Sequence, residues 1–309
     1  METIVSSVVI LFVLIFLGFF LGKKNIIRKE AAPDFSALVL QVAMPVTIFL
    51  SIIGTESTGT LGQSLLIMPA AMILHLGCFF LGLLVVRILR IPDGKQGCYV
   101  YTVMFSNNGF MGLPLALSIY GSEGLLLTTL ANVVTNLLIF SVGVKILTKG
   151  VPDADPISIR KMFLTPINVS VVLGFIFYLA KIPIPEVAGD LLDYLANISS
   201  GLSMIVVGLS LSRWLIRDVF ADWKMFVLAA VRLLAVPLLV IAVLAVLPIQ
   251  MSPLMRSILI LTSALPASAA QSMIVEQYHG DTRSSGQSVF LSTLFSVVTV
   301  PVIMLIGLR

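Results

Sequence analysis

Acidic residues are scarce in this chain, with 15 Asp and Glu against 19 Lys and Arg in 309 residues. None lies near the middle of an apolar run: Glu123, Asp190, Asp193, Glu276 and Asp281 all fall at run ends or in connections. Cation pumps and sodium–proton exchangers hold their ions on buried carboxylates, so that role is disfavoured. Cysteine is as sparse. Cys78 inside one run and Cys98 at the start of another make neither a disulfide framework nor a metal-ligand spacing, and no cofactor or metal ion is expected. Also missing are Gly-x-Gly-Asp, Gly-x-Ser-Gly and His-Glu-x-x-His patterns and any buried nucleophile–base pair, which argues against a membrane-embedded enzyme. No sizeable polar output domain is present, which argues against a receptor that binds a ligand without moving it.

What the chain has in quantity is apolar sequence. It is 58% hydrophobic and 11% charged, against roughly 25% charged in an ordinary soluble domain. Repeated apolar runs of about 20 residues are the length that crosses a bilayer. The net charge of +4 and the pI near 9.1 would suggest a nucleic-acid partner in a soluble protein. Here the cations sit in short connections between runs, where they set topology, and no nucleic acid is expected. Lys23 and Lys24 follow the first run rather than precede it, so that run is not read as a cleaved signal peptide.

The pattern predicts an all-α integral membrane protein with ten transmembrane helices, over 4–22, 36–54, 64–87, 97–120, 124–146, 163–181, 190–212, 223–247, 254–277 and 286–307. The longest polar link, Lys149 to Lys161, divides the chain into 1–150 and 151–309, each with five spans. An odd number of spans per half makes the second half enter the membrane from the opposite side, as an inverted repeat requires. Of the cations outside spans, only Lys181, Arg256 and Arg309 fall on the even-numbered side; all others, among them Lys23, Arg87, Lys145, Arg213, Arg217 and Arg283, sit on the odd-numbered connections or the adjoining span ends. The positive-inside rule then puts both termini on the non-cytoplasmic side of the cell membrane.

Traces of the repeat survive in the letters. Leu17-Gly18-Phe19 recurs as Leu173-Gly174-Phe175, a shift of 173 − 17 = 156, which also pairs Gln41 with Asn197. Nearly the same shift pairs Tyr120-Gly121-Ser122-Glu123 with Tyr278-His279-Gly280-Asp281, and His75 with Arg232. Each match alone is weak; their collinearity is the argument.

Two spans are interrupted near their middles, the fourth by Ser106-Asn107-Asn108-Gly109-Phe110-Met111-Gly112-Leu113-Pro114 and the ninth by Ala264-Leu265-Pro266-Ala267-Ser268-Ala269-Ala270-Gln271. Proline lacks an N–H and clashes with the carbonyl four residues before it, and Gly109 and Gly112 let the chain leave helical geometry cheaply. Paired interruptions at corresponding places in two halves are the best sequence pointer to a transporter binding site. Half-helix N-termini favour an anionic group. An Asn amide both donates and accepts, so it suits a site without fixing its ligand. Asn107, Asn108, Pro266, Ser268 and Gln271 are therefore the candidate substrate-binding residues, with Gly109, Gly112 and Pro114 at the helix break. The competing reading is that such groups only glue helices together.

His75 and Arg232 are the ionisable side chains placed well inside spans. Arg232 either attracts an anion or bonds to backbone carbonyls; His75 is either a proton-linked group or a cross-helix hydrogen bonder. Gln41, Asn132, Asn136, Asn168, Asn197, Gln287, Ser292 and Thr293 either line a path or bridge helices, bridging being the expectation for most, and Gln41 joins Arg232 and His75 as a substrate- or proton-linked candidate. Pro45 and Pro237 are expected to kink the second and eighth spans.

These motifs carry a resemblance. Ala264-Leu265-Pro266 with Ala270-Gln271 and Glu276-Gln277-Tyr278 resembles the ninth helix of the auxin efflux carrier family, and Asn107 with Met111-Gly112-Leu113-Pro114 and Tyr120-Gly121 resembles its fourth. Pro301 in the tenth span fits as well. The resemblance implies a fold like that of the bile-acid symporters, with two inverted five-helix repeats and crossed, broken helices 4 and 9. It implies a scaffold of helices 4–22, 36–54, 163–181 and 190–212, a transport unit of 64–146 and 223–307, elevator-type movement and a homodimer in the lipid bilayer. It further implies that Asn107 stands where the plant carriers contact the carboxylate of auxin. Ser106 replaces their crossover proline, which implies a fourth-helix break that is either gentler or supported by Gly109 instead, and their long central loop is absent. The compact form resembles the branch associated with malate, malonate and similar organic acids. The function expected is secondary transport of small organic anions such as mono- or dicarboxylates, with sodium-coupled organic-anion symport as the alternative.

Overall fold

The computed structural model describes residues 2–54, 64–149, 164, 166–213, 220, 222–246, 251–278 and 280–307. Most of the expected central link, together with His279, Arg217 and Arg309, lies outside them. In a bilayer every main-chain N–H and C=O of a lipid-exposed segment must find a partner within the protein. The described residues meet that demand with helices: α1 (Glu2–Lys23), α2 (Ala32–Leu38), α3 (Met44–Ile53), α4 (Ile67–Ile88), α5 (Asp93–Met104), α6 (Leu113–Leu138), α7 (Val144–Leu147), α8 (Pro166–Ala180), α9 (Glu186–Leu211), α10 (Trp223–Ala230), α11 (Val236–Val246), α12 (Pro253–Ala264), α13 (Ala270–Gln277) and α14 (Thr282–Gly307). Among the described residues no β-strand forms beyond a single bridge between Ser106 and Ala267.

Each of the ten expected segments contains helix, but six are continuous and apolar enough to cross a membrane by length and composition: Ala32–Leu50, Ile67–Ile88, Asn108–Leu147, Glu186–Leu209, Trp223–Val246 and Thr282–Gly307. Of the rest, α1 runs 22 residues, and Pro166–Ala180 and Pro253–Ala264 are shorter apolar helices among the described residues. Part of the difference from ten has local causes. The fourth and ninth segments are each cut in two, at 105–107 and 265–269. The fourth segment's second half also runs on into the fifth through Gly121, whose φ of 63° and ψ of −157° mark a sharp bend rather than helix. Outward-facing Ile73, Phe80, Ile88, Leu179 and Val298 leave the periphery apolar, as lipid contact requires.

Among the described residues four π-helical turns interrupt the α-geometry, at Val39–Ala43, Asn108–Gly112, Ile139–Gly143 and Val231–Ala235. Three end two residues before a proline: Pro45, Pro114 and Pro237. A proline ring cannot accept the carbonyl four residues back, and widening the preceding turn relieves that clash. Pro45 and Pro237 were expected to kink their helices, and the π turns beside them are the observed disturbance.

Two helix pairs pack through glycine. Gly18 of α1 meets the Ile205 carbonyl of α9, Gly208 of α9 meets the Ile15 carbonyl of α1, and neither site has room for a Cβ. Small residues that let backbones approach are the usual device of membrane helix pairs. Gly174 of α8 packs in turn against Ile52 of α3, with 3.0 Å from a built Cβ to the isoleucine side chain.

Candidate functional site

The two helix breaks meet. α5 ends at Phe105, which is extended (φ −114°, ψ 123°), and α12 ends at Leu265, also extended (φ −66°, ψ 152°). The Asn107 N–H donates to the Pro266 carbonyl at 2.9 Å, and the Ser268 N–H donates to the Phe105 carbonyl at 3.0 Å. Each break thus completes the other's main-chain hydrogen bonding, which is how irregular backbone survives in an apolar interior. Ser106, at the fourth-segment break, lies in the bridge to Ala267. The glycines do less than expected. Gly109 and Gly112 sit in the π turn after the break, and neither has positive φ. Gly112 is needed for close approach, since a Cβ there would lie 2.9 Å from the Leu265 side chain. Pro114 is buried at the start of α6.

Asn107 caps the turn that follows the break: its Oδ1 accepts from the Phe110 N–H at 3.4 Å. That commitment identifies the other end of the amide as the NH2. The Asn107 Nδ2 is buried and has no hydrogen-bond partner among the described residues. Asn107 also lines a cavity of about 610 Å³. One wall of the cavity comes from α2, the turn after it and α9, through Ser36, Gln41, Val207 and Leu211, with Arg213 at its edge. The opposite wall comes from the break region and α14, through Asn107, Phe110, Ala269, Ser272 and Thr293. The Thr293 hydroxyl is a second buried polar group with no partner among the described residues. A mostly apolar cavity of a few hundred Å³ with a few unpaired polar groups is the usual form of a small-molecule site.

The other expected site residues are engaged elsewhere. Asn108 accepts from the Ser106 hydroxyl at 3.1 Å and donates to the Thr135 hydroxyl at 3.3 Å, so it bridges helices. Gln271 is fully buried: its Oε1 accepts from Thr102 at 3.0 Å, and its Nε2 donates to the Cys98 sulfur at 2.9 Å and carbonyl at 3.3 Å. Ser268 accepts from the Ala270 N–H at 3.3 Å, at the start of α13. Pro266 contributes its carbonyl to Asn107. None of these four lines the cavity, whereas Gln41 does.

The two buried ionisable groups also lie off the cavity. His75 places its Nδ1 2.7 Å from the Ala71 carbonyl. A carbonyl can only accept, which puts the proton on Nδ1 and leaves Nε2 a buried acceptor with no partner among the described residues. Arg232 sits in the π turn Val231–Ala235, and its guanidinium donates to the carbonyls of Val103 and Leu265 at 3.0 Å, Ser263 at 3.2 Å and Thr262 at 3.3 Å. Of the two readings open for Arg232, carbonyl bonding is the one observed. Sequence reasoning passed over Ser272 and Phe110 and counted Arg213 only as a topology signal. The available signal was position: Phe110 and Ser272 each follow a break by a few residues.

A second cavity, of about 360 Å³, lies between α4 and α11 and is lined by aliphatic side chains with Gly77 and Cys78. Nothing in that lining suits an anion.

The chain is 27% identical over 300 residues to an uncharacterized transporter of Methanothermobacter thermautotrophicus, spanning 97% of this chain and 96% of that one. It is 27% identical over 304 residues to one of Methanocaldococcus jannaschii, spanning 95% of each. It is 22% identical over 302 residues to the uncharacterized transporter YfdV of Escherichia coli K12, spanning 94% of this chain and 93% of that one. A family model described as "Membrane transport protein" matches residues 3–304. With apolar helices fit to cross a bilayer and a family match over nearly its whole length, the chain is an integral membrane transporter and belongs to the membrane transport protein family, whose auxin-efflux-like members its two break motifs resemble.

Proposed function

We propose that the protein is a secondary carrier of small organic anions, mono- or dicarboxylates, and that the anion binds in the 610 Å³ cavity against the Asn107 amide. The observation that carries this reading is the state of that amide. Its oxygen is used by the helix cap, its NH2 is buried without a partner among the described residues, and the residue lines the cavity. A desolvated donor calls for an acceptor, and a carboxylate gives the strongest hydrogen bond of the available classes. The helical turns that begin at Asn108 and Ala270 add their positive ends on the same side.

In this reading the ten segments form two inverted five-helix repeats, 1–150 and 151–309, whose broken fourth and ninth helices cross. The mirrored packings support it: the first segment packs through Gly18 on the seventh, as the sixth packs through Gly174 on the second. The cavity is lined by α2, the π turn after it and α9 on the scaffold side, and by the break region and α14 on the other, where an elevator would carry its substrate past a fixed frame. Ala32 and Arg213, which line the cavity, adjoin connections that the positive-inside rule assigns to the cytoplasm, which supports a reading with both termini outside. A homodimer through the scaffold is part of the same reading.

The test is exchange of radiolabelled mono- and dicarboxylates by the purified protein in liposomes. Counterflow of one acid class, lost in Asn107→Ala, is expected. Movement of sodium or protons without any organic anion would overturn the proposal.

A further inference from the structure

A helix C-terminus leaves its last carbonyls without intrahelical partners and carries about half a negative charge. Two such ends, those of α5 and α12, converge beside the paired breaks. Broken helices in carriers often meet that demand with a free ion, for which unwound carbonyls and half-helix C-terminal ends are the ligands. Here the acceptors are the carbonyls of Val103 from α5, Thr262 and Ser263 from the last turn of α12, and Leu265 just beyond it. All four accept from one side chain, the guanidinium of Arg232, between 3.0 and 3.3 Å. Arg232 is 1% exposed and comes from a third element, the π turn between α10 and α11. A planar guanidinium has five donors and can serve four carbonyls at once, whereas an ammonium has three. The charge is therefore solvated by main-chain dipoles, in the manner of an ion in a carbonyl cage.

We propose that Arg232 is a tethered counter-cation: it occupies the carbonyl site where the two breaks meet, so that no free alkali cation binds there and none at that site is needed to hold the breaks together. The carbonyl site stands independently of what the cavity takes; only the consequence, that transport proceeds without sodium at this position, rests on the carrier reading. Arg232 is thus a positioning residue. It lies on the break region opposite the demand that sodium would meet, and it holds the segment that presents Asn107.

Thermal unfolding of the purified, ligand-free protein in detergent tests this without any substrate. Wild type is compared with Arg232→Ala and Arg232→Lys in sodium, guanidinium and choline chloride at equal, low ionic strength. The expected result is a wild-type Tm unaffected by exchanging choline for sodium, an Ala variant several degrees less stable, and a Lys variant between them. The Ala variant, with its carbonyls vacated, is expected to be stabilised by sodium or guanidinium relative to choline. A wild type stabilised by sodium over choline would overturn the proposal. So would an Ala variant whose Tm is the same in all three salts, or a Lys variant no more stable than Ala. If the Ala variant does not accumulate folded, the wild-type salt comparison and a Lys variant that folds with a lowered Tm decide. Because no arm uses a carboxylate, a wrong cavity ligand cannot imitate any of these results.

Discussion

Gly208 of α9 lies against the carbonyl oxygen of Ile15 in α1 with no space for a side chain, and Gly18 meets the Ile205 carbonyl from the other helix of the same crossing. A Cβ at either position must push two backbones apart. Gly208→Val is expected to destabilise the protein by about 1–3 kcal/mol or more, the cost of overpacking a close contact. Gly201, on the same helix, has nothing within 4 Å of a built Cβ. Gly201→Ala is expected to be neutral or to raise stability by up to about 1 kcal/mol through helix propensity. Unfolding midpoints in detergent compare the two, and equal losses would contradict the crossing.

Asn107→Ala removes the buried, unpartnered NH2 of a cavity-lining residue and should weaken carboxylate binding by about 1.5–3 kcal/mol, the worth of a hydrogen bond to a charged group, or roughly 10- to 100-fold in Kd. Asn132 is equally buried but does not line the cavity. Asn132→Ala should leave Kd within about twofold of wild type, given that sites without shared partners act independently. Titration calorimetry with the acid selected by counterflow measures both, and equal losses would remove Asn107 from the site.

Gln271 holds α13 to α5 through Thr102 and Cys98. Gln271→Leu leaves the Cys98 carbonyl and the Thr102 hydroxyl with fewer partners and should cost about 1–3 kcal/mol of stability. The affinity of the folded fraction for the anion should stay near wild type. A selective loss of affinity with an unchanged unfolding midpoint would return Gln271 to the binding site.

Gly121 is the one residue of α6 with non-helical geometry, and its positive φ with extended ψ is a conformation essentially restricted to glycine. Gly121→Ala is expected to cost about 1–3 kcal/mol through backbone strain alone, since nothing surrounds the built Cβ. Gly109 is as open but has an ordinary φ, so Gly109→Ala should change the unfolding midpoint little. A midpoint that moved equally for both would show that the positive φ of Gly121 carries no special cost.

Much of this was legible in the chain. Helical segments fall where apolar periodicity puts them, because a lipid-facing backbone has few other ways to satisfy itself. The two breaks fall at the Asn107 and Pro266 motifs, because proline and the polar cluster mark where a helix cannot continue. The assignment of individual side chains was less legible. Asn107 and Asn108 are neighbours of identical chemistry, yet one lines the cavity and the other bonds Ser106 and Thr135. Only the turn of the main chain at Asn107, with φ −78° and ψ 60°, separates them, and no letter encodes that angle. Arg232 is similar: sequence places it mid-span but cannot say that four carbonyls from two distant segments converge on it. The glycines misled in a consistent way. Freedom of backbone was inferred for Gly109 and Gly112, while the position that uses such freedom is Gly121.

The reciprocal bonding of the two breaks also constrains how the protein can be made. When residues around Asn107 enter the membrane, Pro266, Ser268 and Arg232 have not yet been synthesised. The Asn107 N–H and the Phe105 and Val103 carbonyls then lack the partners they have in the finished molecule. The first half is thus inserted with a gap in its main-chain bonding that only the last third of the chain can close. Its final form is attained late, after the ninth segment has threaded beside the fourth. A chain cut before residue 264 would present the cell's quality control with an open seam rather than half a transporter.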